Sequence, residues 1–424
     1  MSELTKEQKG WVVFDCANSA YYLIINTAIF PILFNSIVPN GSTVFGIQFS
    51  NKEVLFQITT SLAFACVVIL SPILSGIADY NGKKKFFMRL FTCIGALACC
   101  SLYFFDKNHI EVGIIGSSLA LIGFSGSLVF YNAYLPEIAP REQQDKLSAL
   151  GFSAGYAGST VLLILIIAAS KIFSEHELQV YAIGFISVGV WWLGFSQYTF
   201  KHLPKDEVLK TSLSQSFKHG IQELKKVWKQ IKDNALLKKF ITTYFFISMG
   251  LQTLIVIAPL FALNNLKMET SDLIVIILLM QGMGILGAWL TAKISRVKGN
   301  FNALFFPLII FTAICLSAVF IKDPKVFYLL GSLMGLCMGG VQALARSTFS
   351  KILPETHDHA SFFSFYDIAE KVAITIGTFL TGFIAWFSNG QSQYGILSLS
   401  ILFLTAIILL KITQREAQRN GTKI

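Results

Sequence analysis

Ionisable and amide side chains stand in this chain inside long apolar stretches, where each needs a partner. Asp15 is followed by Asn18, Ser19, Tyr22 and Asn26, at steps of 3, 4, 7 and 11 residues. On an α-helix that spacing puts all five on one face. Asp367, Glu370, Lys371, Thr375 and Thr378 crowd one broad face of a second apolar stretch near the other end of the chain. A charge at mid-bilayer costs ~2.5–3.5 kcal/mol on insertion scales, so three ionisable groups within five residues cannot face lipid. Glu370 and Lys371 are adjacent and point different ways on a helix, so Lys371 needs another carboxylate. Asp15 and Asp367 are the candidates. Tyr131 with Asn132, Gln252 with Thr253, and Gln342 with Arg346 put hydrogen-bonding groups into three more stretches. Groups of these kinds hold a polar solute, pass a proton through a buried carboxylate, or tie helices together. Asp15 and Arg346 each lie near one end of a stretch, so solute or proton handling and a helix-to-helix ion pair both stand.

The elements that position these side chains are read from hydropathy. Of 424 residues, 54% are hydrophobic and 14% charged, against about 25% charged in soluble domains. The apolar residues come in blocks of roughly 20, the length a helix needs to cross the ~30 Å hydrocarbon layer. Twelve such spans are expected, at 11–36, 55–78, 86–105, 111–135, 147–170, 179–200, 239–262, 272–292, 302–321, 326–349, 361–387 and 393–411. The chain is therefore an all-α integral membrane protein. The first block lacks a small-residue cleavage site and is expected to remain as span 1. All seven cysteines lie in apolar blocks, which argues against a disulfide framework.

An even number of spans puts both termini on one side. With that side cytoplasmic, 27 lysines and arginines fall in inner segments and 6 in outer loops, Lys371 being intramembrane. The bias fits the positive-inside rule and places both termini in the cytoplasm. It also accounts for the net charge of +10 without nucleic acid. The long inner loop divides the chain into bundles 1–200 and 239–424 joined by a linker, 201–238. Within the linker Phe217, Ile221, Leu224, Trp228 and Ile231 alternate with lysines at helical steps. This reads as an amphipathic helix on the inner leaflet with its lysines near anionic headgroups, and two roles stand for it: a solvated linker with no regulatory part, or a part in domain motion or lipid sensing.

The halves echo each other. Leu-Pro-Glu closes span 4 at 135–137 and span 10 at 353–355, an offset of 218. The loop after span 2 carries Asp79, Gly82, Lys83 and Lys84, and the loop after span 8 carries Arg296 and Gly299. The two glycines differ by 217. Twelve spans in two halves, with an acid-x-x-Gly-basic-basic loop after span 2, resemble the major facilitator superfamily. Ser75 stands where its first loop glycine is expected, Tyr80 replaces a basic residue, and Arg296 replaces the acid in the second copy. Within the superfamily the stretches FDCANSAY, FYNAYLPEIA, LSALGFSAGYAGS and ALARSTFSKILPE resemble the branch related to the fungal vacuolar amino-acid effluxer and its bacterial relatives.

That resemblance implies two pseudo-symmetric six-helix bundles, with spans 1, 4, 7 and 10 around a central cavity. It implies that Asp15, Asn18, Tyr22, Asn26, Tyr131, Asn132, Gln252, Gln342, Arg346, Asp367, Glu370 and Lys371 serve substrate or coupling. It places span 2 beside span 11, so Asp79 is expected to latch onto the start of span 11, with Gly82 forming the turn and Lys83 and Lys84 anchoring it. The small residues Gly151, Gly155, Gly158, Gly282, Gly284 and Gly287 are expected where spans 5 and 8 meet. The implied activity is secondary transport of a small polar solute, an amino acid or related metabolite, by alternating access, with export preferred and protons as a coupling ion. The expected partners are that solute, protons and membrane lipids, with no nucleic acid and no cofactor or metal. A monomer in a bacterial inner membrane is expected. No Walker loop or nucleophile–base set is present, so ATP-driven transport and an enzyme are not indicated. The alternative is a transport-inactive sensor or lipid-handling protein on a carrier scaffold.

Overall fold

In this computed structural model the described residues are 4–206, 213–388 and 391–421. Lys210 and Lys423, counted among the inner charges, lie outside them. Twelve helices are long and apolar enough to cross a membrane: Lys6–Ile37, Lys52–Asn81, Lys84–Phe104, Ile110–Ile138, Arg141–Ile172, Ser174–His202, Ala235–Asn265, Ser271–Lys298, Asn300–Ser317, Pro324–Ile352, His359–Phe387 and Gln393–Arg419. These are spans 1 to 12. Each contains or closely matches the apolar block expected at its place. A short hairpin between spans 1 and 2 pairs Thr43 with Gln48 and Val44 with Ile47.

Span 1 is not one uniform helix. A capping box starts it, Thr5 Oγ1 accepting from the Gln8 amide at 3.2 Å while Gln8 Oε1 accepts from the Thr5 amide at 3.2 Å. The α-helix runs from Lys6 to Ala20, becomes a π-helix over Tyr21–Ala28, and is α again over Ile29–Ile37. Pro31 lies just beyond the π segment. A proline ring supplies no amide proton and crowds the carbonyl four residues before it, here that of Thr27. The wider turn reorients every side chain that follows, and the single polar stripe expected over Asp15–Asn26 is broken by it.

The chain divides into two compact units. The first comprises Met1–Tyr134, Ala154–Leu224 and Asp358–Ser364, the second Leu135–Ser153, Lys225–His357 and Phe365–Ile424. In the first unit spans 3 and 4 cross backbone against backbone. A Cβ on Gly123 would lie 2.5 Å from the Gly95 Cα, and one on Gly126 would meet the Phe91 ring. Gly155 and Gly158 of span 5 receive Ser19 and Cys16 of span 1. In the second unit spans 8 and 10 are packed in the same manner. A Cβ on Gly335, Gly339 or Gly287 would strike the backbone of Met280, Gly284 or Leu336. Of the glycines expected between spans 5 and 8, Gly155, Gly158, Gly284 and Gly287 thus serve other pairs, and Gly282 faces open space. Spans 5 and 8 do meet through small residues, at Ala149 and Ala288, with Ala343 of span 10.

The linker helix, Leu213–Asp233, is rotated from its apolar stripe. Ser216, Gly220, Val227 and Ile231 are the buried residues, whereas Phe217 and Trp228 are about half exposed. Gly220 packs on Ile77, and His219 stacks on Tyr80 with ring centroids 4.6 Å apart. A small-residue face gives the closest approach to span 2, which outweighs burial of the larger rings.

Overpacking costs about 1–3 kcal/mol where surrounding atoms can move, and more where they are backbone. Gly339→Val should therefore lower the unfolding temperature in detergent by several degrees or prevent folding. Gly282→Ala, with nothing within 4 Å of its Cβ, should leave it unchanged. Equal melting of the two variants, followed by tryptophan fluorescence, would refute the close crossing of spans 8 and 10.

Candidate functional site

In the first unit Asp15 is 4% exposed and accepts a hydrogen bond from the Tyr131 hydroxyl at 2.6 Å. Tyr131 is itself fixed from span 1. Trp11 Nε1 donates to its backbone carbonyl at 2.8 Å and the two rings stack at 4.4 Å. One turn along, Asn18 is buried. Its Oδ1 accepts from Ser19 Oγ at 3.4 Å, and its Nδ2 has no hydrogen-bond partner among the described residues. The structure thus brings Asp15, Asn18 and Tyr131 together. The π-helix turns Tyr22 and Asn26 elsewhere. The Tyr22 ring stacks on Phe124 at 5.6 Å, and Asn26 lines a cavity of about 20 Å³ with Thr59, Thr60 and Ser117. Asn132 is half-buried next to Tyr131 in the chain.

In the second unit Glu370 is held from span 7. Gln252 Nε2 donates to its Oε1 at 2.6 Å and the Tyr244 hydroxyl to its Oε2 at 3.0 Å. Tyr244 lies stacked on Tyr366 at 3.9 Å, and Phe349 flanks Tyr366 at 4.8 Å. Asp367 supplies a carboxylate for Lys371, Oδ1 to Nζ at 3.2 Å across one helical turn. Both are buried, and Asp367 Oδ2 has no hydrogen-bond partner among the described residues. Thr375 and Thr378 bond back to their own helix, at Lys371 and Ile374. Sequence reasoning missed Tyr244. Its signal was periodicity, since Tyr244, Ser248 and Gln252 repeat every four residues on span 7.

Arg346, 3% exposed, lies on span 10 and grips the start of span 5. Its Nε donates to Ser148 Oγ at 2.9 Å, its Nη2 to the Ser148 carbonyl at 3.0 Å, and the guanidinium covers the Phe152 ring at 4.2 Å. Gln342 is half-buried on the same helix. One turn beyond Arg346, a network unforeseen in the sequence centres on Asp145 of span 5. It pairs with Lys351 Nζ at 2.6 Å and accepts from Asn300 Nδ2 at 2.9 Å and Ser295 Oγ at 3.0 Å. Asn300 also bonds Thr348 and Lys351. Lys351 enters the sequence reading only as one of the inner charges, and Asp145 does not enter it. The spacing Asp145, Ser148, Phe152 on one helical face was the available signal.

The Asp79 arrangement lies in the first unit. Asp79 Oδ2 accepts from the Ser361 amide and from Ser361 Oγ, each at 2.7 Å, and Oδ1 from the Ala360 amide at 3.2 Å. These amides belong to the first turn of span 11, whose dipole favours an anion. Gly82 closes span 2 in the left-handed region, φ 62°, with its amide on the Asp79 carbonyl at 3.4 Å. Lys83 is the N-cap residue of the next helix, and Lys84 Nζ lies over the Tyr134 ring at 5.8 Å.

The chain matches known carriers over its whole length. The family described as "Vacuole effluxer Atg22 like" matches residues 4–423. An uncharacterized major-facilitator-type transporter, YxiO of Bacillus subtilis, is 30% identical over 98% of this chain and 96% of its own. Autophagy-related protein 22 of Saccharomyces cerevisiae is 25% identical over 78% of this chain and 72% of its own. Among solved structures, the human organic anion transporter MFSD10 superposes with a TM-score of 0.73 at 13% identity, covering 96% of this chain and 99% of that one. FucP in its outward conformation gives 0.67 at 10% identity, covering 96% and 97%. Those two likenesses carry the fold. Twelve spans, the Asp79–Gly82 loop and a family match from residue 4 to residue 423 make this multi-pass membrane protein a member of the Atg22-like branch of the major facilitator superfamily, whose members are transporters and not enzymes.

Proposed function

We propose that this carrier moves a zwitterionic metabolite, an amino acid or a close relative, by alternating access, in the direction of export and with proton coupling. The observation that supports it is that the second unit holds both signs together, Glu370 beside the Asp367–Lys371 pair, while the first keeps Asp15 under a tyrosine hydroxyl. A zwitterion needs both signs, and carboxylates inside a membrane span are the groups through which a carrier couples to protons. The fungal relatives' family name, vacuole effluxer, favours export. The lysine and arginine bias and the Bacillus relative favour a plasma membrane with both termini inside, and a single chain is the proposed working unit.

Two links then act as latches on the cytoplasmic side. Asp79 ties span 2 to the first turn of span 11, and the Asp145–Lys351 network ties span 5 to spans 8 and 10. Each joins a span from before the linker to one after it, so each must release when that side opens.

Glu370→Gln removes the charge that Tyr244 and Gln252 answer, an interaction worth about 1.5–3 kcal/mol for charged hydrogen bonds. Proton-gradient-driven flux of labelled amino acids in proteoliposomes should fall at least tenfold. Undiminished flux in this variant would exclude Glu370 from coupling, and absence of flux in the wild type across an amino-acid panel would exclude the substrate class. Asp79→Asn should act on the latch instead. A cysteine placed at buried Ser364 should react several-fold faster with a water-soluble maleimide in that variant, while substrate affinity stays within about twofold. Unchanged labelling would defeat the latch assignment.

A further inference from the structure

At the Gly82 end of the first unit, the start of span 3 and the end of span 6 flank a cavity of about 540 Å³. Five cations line it, Lys83, Lys85, Arg89, Lys201 and Lys205, against one acid, Asp206. That acid is already engaged. Its Oδ1 accepts from the Lys85 amide at 2.8 Å and its Oδ2 from the Phe86 amide at 2.9 Å, capping the first turn of span 3. Lys85 is buried and gives its Nζ to the Leu203 carbonyl at 2.8 Å, which fixes the path of the chain leaving span 6. Arg89 is oriented by the Phe200 ring, 5.1 Å below its guanidinium. Among the described residues Lys83, Arg89, Lys201 and Lys205 make no ion pair. Two of the cations are thus held in place, and among the described residues Asp206 leaves most of the cavity's positive charge uncompensated.

A phosphate group is the anion this chemistry recognises, because several donors converge on its oxygens at once. The surroundings favour a lipid as its source. Below the cavity the outer face of span 3 continues as an apolar stripe, Phe86, Leu90 and Leu97 being 53%, 41% and 64% exposed. On span 6 a Cβ at Gly194 would meet nothing within 4 Å, leaving a notch in the membrane-facing surface. We propose that this cavity binds the phosphate headgroup of an anionic membrane lipid, with its acyl chains along the Phe86–Leu90–Leu97 stripe. The bound headgroup neutralises cations on both spans and so holds the start of span 3, Lys83 of the gating loop, and the first linker residues together. The inference depends on membrane embedding and not on the identity of the transported solute.

The full chain, purified in a neutral detergent, is titrated with phosphatidylglycerol and followed by thermal unfolding and native mass spectrometry. Wild-type protein should be stabilised and keep lipid adducts, whereas phosphatidylcholine and inorganic phosphate should leave it unchanged. Lys201→Gln with Lys205→Gln, two exposed positions, should weaken apparent phosphatidylglycerol affinity about tenfold or more, each surface cation counting for roughly 1 kcal/mol. Lys322→Gln with Lys325→Gln, exposed between spans 9 and 10, should have no effect. If the first double variant does not fold, Arg89→Gln replaces it with the same expectation. Wild-type affinity in the cavity variants, or the full shift from phosphatidylcholine or from inorganic phosphate, would overturn the proposal.

Discussion

A carboxylate inside a hydrocarbon layer has to be answered by a donor, and this constraint organises the polar interior of the protein. Each of the buried or half-buried acids described has a specific reply. Asp15 receives a tyrosine hydroxyl, Glu370 a tyrosine and an amide, Asp367 a lysine one turn away, Asp145 a lysine, an amide and a serine, and Asp79 the open end of a helix. The replies differ in charge. Tyrosine hydroxyls reach Asp15 and Glu370, and an amide reaches Glu370 as well, and these donors add no charge of their own. Lysine partners make Asp145 and Asp367 members of charged pairs.

The repeat in the chain explains why two links of opposite construction occur. At an offset of 217, Asp79 corresponds to Arg296, so the second copy of the loop has lost its acid. The acid is found across the contact instead. Asp145 stands on span 5, and span 8 supplies Ser295 as a donor, with Asn300 following its terminal glycine. In the first copy the helix that ends contributes the anion and the helix that begins contributes amides. In the second these roles are exchanged, and Lys351 provides the positive charge that a helix dipole provides for Asp79. Replacement of the motif acid by arginine therefore removed a residue type from one helix without removing a charged link from that place in the fold.

What was legible in the sequence follows from the range of the forces involved. The twelve spans, and the charges of spans 1 and 11 that need partners, were readable because hydropathy and the penalty for buried charge act on local sequence. Gly82 was readable because a left-handed turn demands glycine, whereas the link from Asp79 to the start of span 11 was implied by the family resemblance. Asp145, Lys351 and Asn300 were not readable, because near a span end a charge has two destinations, water or a partner, and only the fold chooses. The π-helix was missed because an α-periodic stripe was assumed through Tyr22 and Asn26. The linker helix was rotated because packing against Ile77 rewards a glycine, which no hydrophobic stripe registers.

On the proposed carrier cycle the strength of these links is bounded on both sides. The three hydrogen bonds on the Asp79 carboxylate exchange for bonds to water when the link opens, and each is then worth about 1.5–3 kcal/mol net. Their sum, roughly 4.5–9 kcal/mol, spans the ~5.5 kcal/mol of differential binding that moves a two-state equilibrium from one in a hundred to its inverse. A link made of dry, mutually buried ion pairs would exceed what a small solute can repay. One made of solvated side chains would not hold the resting state. A carboxylate placed on the amides of a helix start, at the edge of the membrane where water is at hand, lies between these limits, and the same reasoning assigns the more enclosed Asp145–Lys351 network the slower and more costly release of the two.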